Sequence, residues 1–317
     1  MITKTREYSK YSSDLQVTPI KRIGQYWNRP NHAAYLFLLP TLIILVGFVF
    51  IPLIGTFALG FFNINIFFTN TTFVGLKNFI HFFSDERAIN SLVHTLYFTI
   101  LETPIQVFIG LVFAVILAKN TTFNKFCRSI FFIPVVCSLT SIGIIWSMLL
   151  DPNIGSVPYF ISKLDLPIPK FFHDPALAMP TVAVLTVWKN FGVTMMILLA
   201  GIQGISLSLY ESAKMDGATK IQQFFYITIP QLTPSLGFCV LTNFIGSMQV
   251  FDQVYVTTGG GPQFKTETAV QYIYQRGFSP PFELGYSSAV STILFIIIAV
   301  LAVSINFYIN RKESQML

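Results

Sequence analysis

Three ionisable side chains of this 317-residue chain, Glu102, Lys189 and Asp252, lie inside long apolar runs. A charge at membrane depth is costly unless it faces a partner, a cavity or water, so such residues mark proton, ion or solute sites, or structural pairs. If the runs holding Lys189 and Asp252 are neighbours, the two can approach, and an ion pair accounts for them as well as solute contact does. Around them, Trp188 offers an aromatic platform, while Asn190, Asn243 and Gln249 offer amides of the kind that bind hydroxyls. Between membrane helices the same amides also serve as polar glue.

Covalent chemistry has no comparable footing. Ser91 and His94 lack an acid, base and nucleophile arrangement with catalytic spacing. Cys127, Cys137 and Cys239 sit in or beside apolar stretches without CxxC spacing and read as packing residues. The Gly259-Gly260-Gly261 run is followed by proline, and no Gly-Lys dipeptide occurs, so the phosphate-cradling loop of nucleotide hydrolases is absent. The expectation is a chain with no catalysis, no metal and no cofactor of its own.

The elements that position these groups follow from composition. Hydrophobic residues make up 53% of the chain and charged ones 11%, with mean hydropathy +0.63, more apolar surface than one soluble core can hide. The apolar residues form six stretches, at about 33–62, 91–118, 129–150, 180–202, 232–256 and 284–309, each near the roughly 20 residues that cross hydrocarbon. The expected fold class is all-α: a polytopic membrane protein with six transmembrane helices over 33–310 and polar tails at 1–32 and 311–317. Pro40, Pro52, Pro104, Pro134 and Pro234 lie within or at the edges of these stretches, where neighbouring helices re-satisfy the freed carbonyls.

Placing both termini in the cytoplasm puts thirteen of the 20 Lys and Arg residues inside and six outside, with Lys189 in a span. Positive residues resist translocation, so this orientation is the expected one. It also explains the net charge of +6 without nucleic acid, for which no basic, aromatic-interleaved patch exists. The first thirty residues carry basic side chains but no apolar stretch before a cleavage site, and read as a cytoplasmic tail. The outer connections, such as Asp151-Pro152-Asn153-Ile154-Gly155, are expected to be turns and loops.

Residues 205–230 connect the fourth and fifth stretches on the expected cytoplasmic side. Leu209, Ala213, Ile221, Phe224 and Phe225 recur at helical steps, so one face can anchor to the bundle while another meets a partner. Small Ser212 and Ala213 and the turn-capable Gly217 allow close backbone approach. This segment resembles the EAA loop of bacterial importer permeases: Glu-Ala-Ala, three residues, Gly, nine residues, Ile-x-Leu-Pro. Glu211, Ala213, Gly217, Ile227 and Pro230 fall in register, with Ser212 and Ile229 as the departures. Phe131-Phe132-Ile133-Pro134, Phe251-Asp252-Gln253-Val254-Tyr255 and Thr258-Gly259-Gly260-Gly261-Pro262 extend the likeness over nearly the whole chain, to carbohydrate-uptake permeases of the maltose-transporter type.

The resemblance implies a permease subunit of an ATP-binding-cassette importer in the bacterial inner membrane. Its implied partners are a second related permease, two nucleotide-binding ATPase subunits that carry ATP and Mg, an extracytoplasmic solute-binding protein and a sugar. It also implies that Glu211, Ser212, Ala213, Asp216, Gly217, Ala218, Ile227 and Pro230 form a coupling loop that docks on the ATPase. An ion- or proton-coupled secondary transporter is the alternative, with Glu102 as its ion site, although no internal repeat supports it. A membrane-embedded enzyme is disfavoured by the missing catalytic set.

Overall fold

The computed structural model describes residues 30–69 and 71–313. The tail expected over 1–32 therefore lies almost wholly outside the described residues, as do 314–317 of the C-terminal tail. The structure divides into two units, 1–56 and 57–317.

In the first unit, helix α1 (Pro30–Leu45) passes through a wider π turn (Val46–Phe50) into α2 (Ile51–Leu59), whose last residues enter the second unit. Apolar side chains on all sides suit a helix whose solvent is hydrocarbon.

The second unit opens with a two-residue antiparallel ladder, Phe62 opposite Phe73. Helix α3 (Glu86–Ile116) follows, N-capped by Asp85, whose carboxylate accepts from the Arg87 and Ala88 amides at 3.0 and 3.1 Å. Next come α4 (Thr122–Val136), α5 (Leu139–Leu149), α6 (Ala178–Gly204), α7 (Leu207–Met215), α8 (Thr233–Met248), α9 (Ala269–Phe278) and α10 (Leu284–Glu313).

Helices α3 and α6 are the central pair and run parallel. Near their N-terminal ends Phe98 packs with Val182 and Leu185, and near their C-terminal ends Ala114 and Leu117 pack with Met195, Leu198 and Leu199. Helix α8 crosses both in the opposite sense. Consequently Asp85 and Gly217 lie at opposite ends of the bundle.

Four runs, Phe37–Leu59, Glu86–Ile116, Ala178–Gly204 and Leu284–Arg311, are each long and apolar enough to cross a membrane. The third expected stretch, 129–150, is two helices: α4 and α5 meet at 95° across Cys137 and Ser138. Two features of α6 seat this break. A Cβ on Gly192 would lie 2.5 Å from the Phe131 carbonyl oxygen, so only glycine lets the backbones touch, and Lys189 Nζ donates to the Val135 carbonyl at 3.2 Å, placing a cation on the free C-terminal carbonyls of α4.

The fifth expected stretch, 232–256, also differs. Its helix ends at Met248, and Asp252–Thr257 is a separate turn of helix. The Val250 carbonyl instead accepts from the Thr268 hydroxyl at 2.8 Å. Counting each bent pair as one span gives six, and otherwise four, among the described residues.

Candidate functional site

Midway along α3 and α6, beside the C-terminal end of α8, lies a cavity of about 290 Å³. Each helix contributes polar residues one turn apart and therefore on one face: Glu102 and Gln106, Asn190 and Thr194, Asn243 and Ser247. Gln106 Nε2 donates to Asn243 Oδ1 at 2.8 Å and to Thr194 Oγ1 at 3.3 Å, and Asn243 Nδ2 reaches the same Thr194 oxygen at 3.1 Å. Thr103 Oγ1 donates to Glu102 Oε2 at 3.1 Å and lies 3.1 Å from Ser247 Oγ. Glu102 is 3% exposed, and among the described residues no cation pairs with it.

Glu102, Asn190 and Asn243 from the sequence reading are thus brought together. The other four candidates are not. Trp188 is exposed and tilts against Trp146 at 5.6 Å on a different face. Lys189 caps the broken span, as above, and makes no ion pair with exposed Asp252, because that residue begins the short helix beyond the end of α8. Gln249 is exposed at the C-cap of α8. Gln106, Thr194, Ser247 and Gln253 were missed, and the four-residue spacing of polar residues within apolar runs is the signal that reveals the first three.

At one end of the bundle, α7 terminates in a defined turn. The Ala218 amide donates to the Ala213 carbonyl at 2.9 Å and the Gly217 amide to the Lys214 carbonyl at 3.1 Å, with Gly217 at φ +81. This paired closure of a helix C-terminus needs a left-handed residue, which glycine supplies without strain. Directly afterwards Thr219 and Gln222 form a capping box that starts the next turn of helix. Phe224–Thr228 is wound as a π segment, and Tyr210 ties it back to α7 through a 2.9 Å contact with Thr228 Oγ1.

Glu211, Ser212, Asp216 and Gly217 are exposed, while Ala213, Ala218, Ile227 and Pro230 are half-buried. A cavity of about 270 Å³ opens beside Ala213, Gly217, Gln222 and Tyr226. Met215, Ile221, Phe225 and Tyr226 project at 88, 72, 60 and 79% exposure. An end so apolar and so exposed is built to be covered by another surface.

At the opposite end the expected loops contain α9 and a closed polar network. Arg87 grips Glu267 with two hydrogen bonds, Nε to Oε2 at 2.8 Å and Nη2 to Oε1 at 2.6 Å, and reaches Gln275 Oε1 at 2.5 Å. Asp85 accepts from Tyr272, and from Tyr286 at 3.0 Å, with Arg276 Nη2 3.5 Å away. Burial alone raises the Asp85 carboxyl, but the hydrogen bonds from Tyr272, the Ala88 amide and Tyr286, with the Arg276 charge, outweigh it and hold the group below the usual carboxylate range. Burial, and then the bond to Asp85, pushes the Tyr272 hydroxyl up to about 12.

Residues 106–315 match the family described as binding-protein-dependent transport system inner membrane component. The chain is 34% identical over 291 residues to the probable ABC transporter permease protein YurN of Bacillus subtilis, spanning 90% of this chain and 99% of that protein. It is 30% identical over 274 residues to the trehalose/maltose transport system permease protein MalF of Thermococcus litoralis, spanning 85% and 91%. Among solved structures, a chain of a bacterial alginate ABC transporter, crystallised with its alginate pentasaccharide-bound periplasmic protein, superimposes with TM-score 0.80 at 22% identity, covering 92% of this chain and 97% of that one. That last likeness carries the fold.

Proposed function

We infer the function of this chain from one premise: it belongs to the inner membrane components of binding-protein-dependent transport systems, and is a multi-pass permease subunit of an ABC importer. Its cargo is a sugar or oligosaccharide. A second related permease completes the pathway, an extracytoplasmic binding protein delivers the solute, and a pair of ATPase subunits bearing ATP and Mg drives the cycle. The observation that carries the sugar reading is the mid-bundle cavity, where Glu102, Gln106, Asn190 and Asn243 present carboxylate and amide groups to a hydroxyl-rich solute. The trehalose/maltose permease among the relatives adds to it.

Both termini lie in the cytoplasm and the 33–310 region crosses the membrane six times, with each bent pair a single broken span. This orientation leaves the Gly217 end inside and the Asp85 end outside. Residues 205–230 are the coupling loop. Glu211 offers charge to a basic groove on the ATPase, Ser212 and Ala213 allow close packing, and the Asp216-Gly217-Ala218 turn with Ile227 and Pro230 fixes the shape that docks. Closure of the ATPase pair pushes this loop and rocks the spans between inward-open and outward-open states. None of the relatives named above speaks for the ion-coupled alternative.

The decisive experiment is uptake of labelled mono- and oligosaccharides by cells with and without this chain, before and after ATP depletion. One ATP-dependent sugar uptake vanishes on deletion if the reading is right. Unaltered uptake of every sugar refutes it.

A further inference from the structure

We propose that a second cavity, at the outer end of this chain, is an entry station for the sugar, set one helical turn outward of the mid-bundle cavity and shut off from it by Phe98. The proposal rests on the sugar-importer reading and on the orientation that puts the Asp85 end outside. This outer cavity measures about 300 Å³ against about 290 Å³ for the inner one, at the lower edge of small-ligand pockets, roughly 300–1,000 Å³. Glu86, Asn90 and His94 of α3 line it, together with Gln263, Phe264 and Lys265 of the loop before α9.

Helix α3 ties the two cavities together. Glu86, Asn90 and His94 line the outer one and Phe98, Glu102 and Gln106 the inner one, and these six follow one another at steps of four residues. Side chains four apart are neighbours on a helix, with Cβ atoms about 5–6 Å apart, so they form an unbroken ladder that winds slowly around α3. Five of the six rungs are polar. The exception, Phe98, stands where one cavity gives way to the other. The facing wall repeats the adjacency: Glu267 lines the outer cavity, and its neighbour Thr268 donates to the carbonyl of Val250, which lines the inner one. Phe98 and Thr268 are 0% exposed and Val250 3%, so the partition is closed in this conformation.

The groups left open decide what the outer cavity takes. Its floor is spent: Arg87 and Glu267 hold each other, Ser91 donates to the Ala88 carbonyl at 2.7 Å, and His94 Nδ1 gives its proton to the Glu267 carbonyl at 3.2 Å. By contrast, the side chains of Glu86, Asn90, Gln263 and Lys265 make no hydrogen bond or ion pair among the described residues. Between them they present donors and acceptors to hydroxyls, and Phe264, 55% exposed, presents a ring to the C–H face of a sugar. Gln263 and Phe264 hold φ +53 and +58, left-handed values uncommon outside glycine, and backbone of that kind clusters at binding sites. A concave polar lining around one ring suits a sugar better than it suits the side of a docked protein.

The test uses the complete transporter in proteoliposomes, with ATP inside and its binding protein outside. The binding protein carries whichever labelled sugar of the uptake panel loses ATP-dependent transport when this chain is deleted. Asn90→Leu and Phe264→Leu are expected to cut uptake at least five-fold at equal amounts of assembled complex. The binding-protein concentration that gives half-maximal uptake should stay within two-fold of wild type. Asn90→Gln and Phe264→Tyr, which keep the amide and the ring, should retain half or more of the rate. Undiminished uptake by both leucine variants overturns the entry station and leaves the sugar-importer reading standing. A rise of five-fold or more in the half-maximal concentration also overturns it, by making the cavity a contact for the binding protein. Absence of ATP-dependent uptake of every sugar overturns both readings together.

Discussion

Two buried carboxylates separate the structural from the functional polarity of this chain. Glu267, at the end proposed to face outward, is 1% exposed and is held bidentately by Arg87, whose guanidinium also lies over the Phe264 ring at 4.0 Å. Glu102, in the middle of the bundle, is buried to a similar degree and receives one hydroxyl. Burial is common to both; satisfaction is not. A carboxylate whose valences are all met fixes the chain around it, while one left open has capacity for something that comes and goes.

The largest expected effect tests the satisfied side. Glu267→Leu leaves Arg87 with Gln275 as its remaining carbonyl partner; breaking a fully buried pair costs about 3–5 kcal/mol, and the 36% exposure of Arg87 puts this one at the lower end of that range. Yield and thermal unfolding of the purified transporter complex should both fall sharply; an unchanged unfolding temperature would erase the contrast with Glu102.

Next in size, Gly217→Val forces a branched residue into φ +81, at a cost of about 1–2 kcal/mol for a left-handed residue, and unwinds the turn that closes α7. ATP-dependent uptake should be lost while labelling of the membrane spans stays normal, and normal uptake would undo the coupling role. Lys189→Met removes the cation from the end of α4, an effect of about 0.3–1 kcal/mol. It should lower complex yield without altering the KM for sugar, and a raised KM would return Lys189 to the solute path.

Asp85 adds a pH signature. Its carboxyl is depressed in the folded chain, so its contribution is complete above the unfolded carboxylate pKa of about 4 and disappears as pH falls through the folded value. Thermal unfolding of the complex should therefore drop at the acid edge in wild type, and Asp85→Asn should flatten that dependence. The smallest expected effect belongs to Glu102→Leu, which removes a buried carboxyl group that receives a single hydrogen bond, from Thr103. Unfolding of the complex should shift by about 1 kcal/mol or less, the net worth of one hydrogen bond, with uptake carrying the loss. Destabilisation as large as that of Glu267→Leu would make Glu102 a second structural group.

The helical, membrane-crossing character was legible in the sequence, because hydrocarbon imposes its thickness on every crossing; the count was less so, since four runs are each long enough to cross and six result only when each bent pair is one span. It hid the break at Cys137 and Ser138, since residues on both sides are apolar and hydropathy is blind to direction; the cause sits on another helix, in Gly192 and Lys189. Lys189 and Asp252 looked like partners for the same reason, as sequence cannot say that α8 stops at Met248. Glu102 was legible because a carboxylate in an apolar run is conspicuous. Gln106, four residues on, was not, since an uncharged amide costs less to bury and stands out only when its spacing to Glu102 is counted. The Arg87–Glu267 pair spans 180 positions, which no local pattern encodes.

One consequence remains in the turn that follows α7. Gly217 is bracketed on one side by a closed helix terminus and on the other by the Thr219–Gln222 box, so neither flank yields easily to a sideways load. The π-wound stretch Phe224–Thr228 has a looser, five-residue hydrogen-bond step and is tethered at Tyr210. Mechanically this is a stiff lever with its compliance gathered at one joint. Under the coupling role proposed above, a push on the loop reaches α6 through the two extended residues Ile205 and Ser206, while the 65° bend before α8 takes up the mismatch between the two arms.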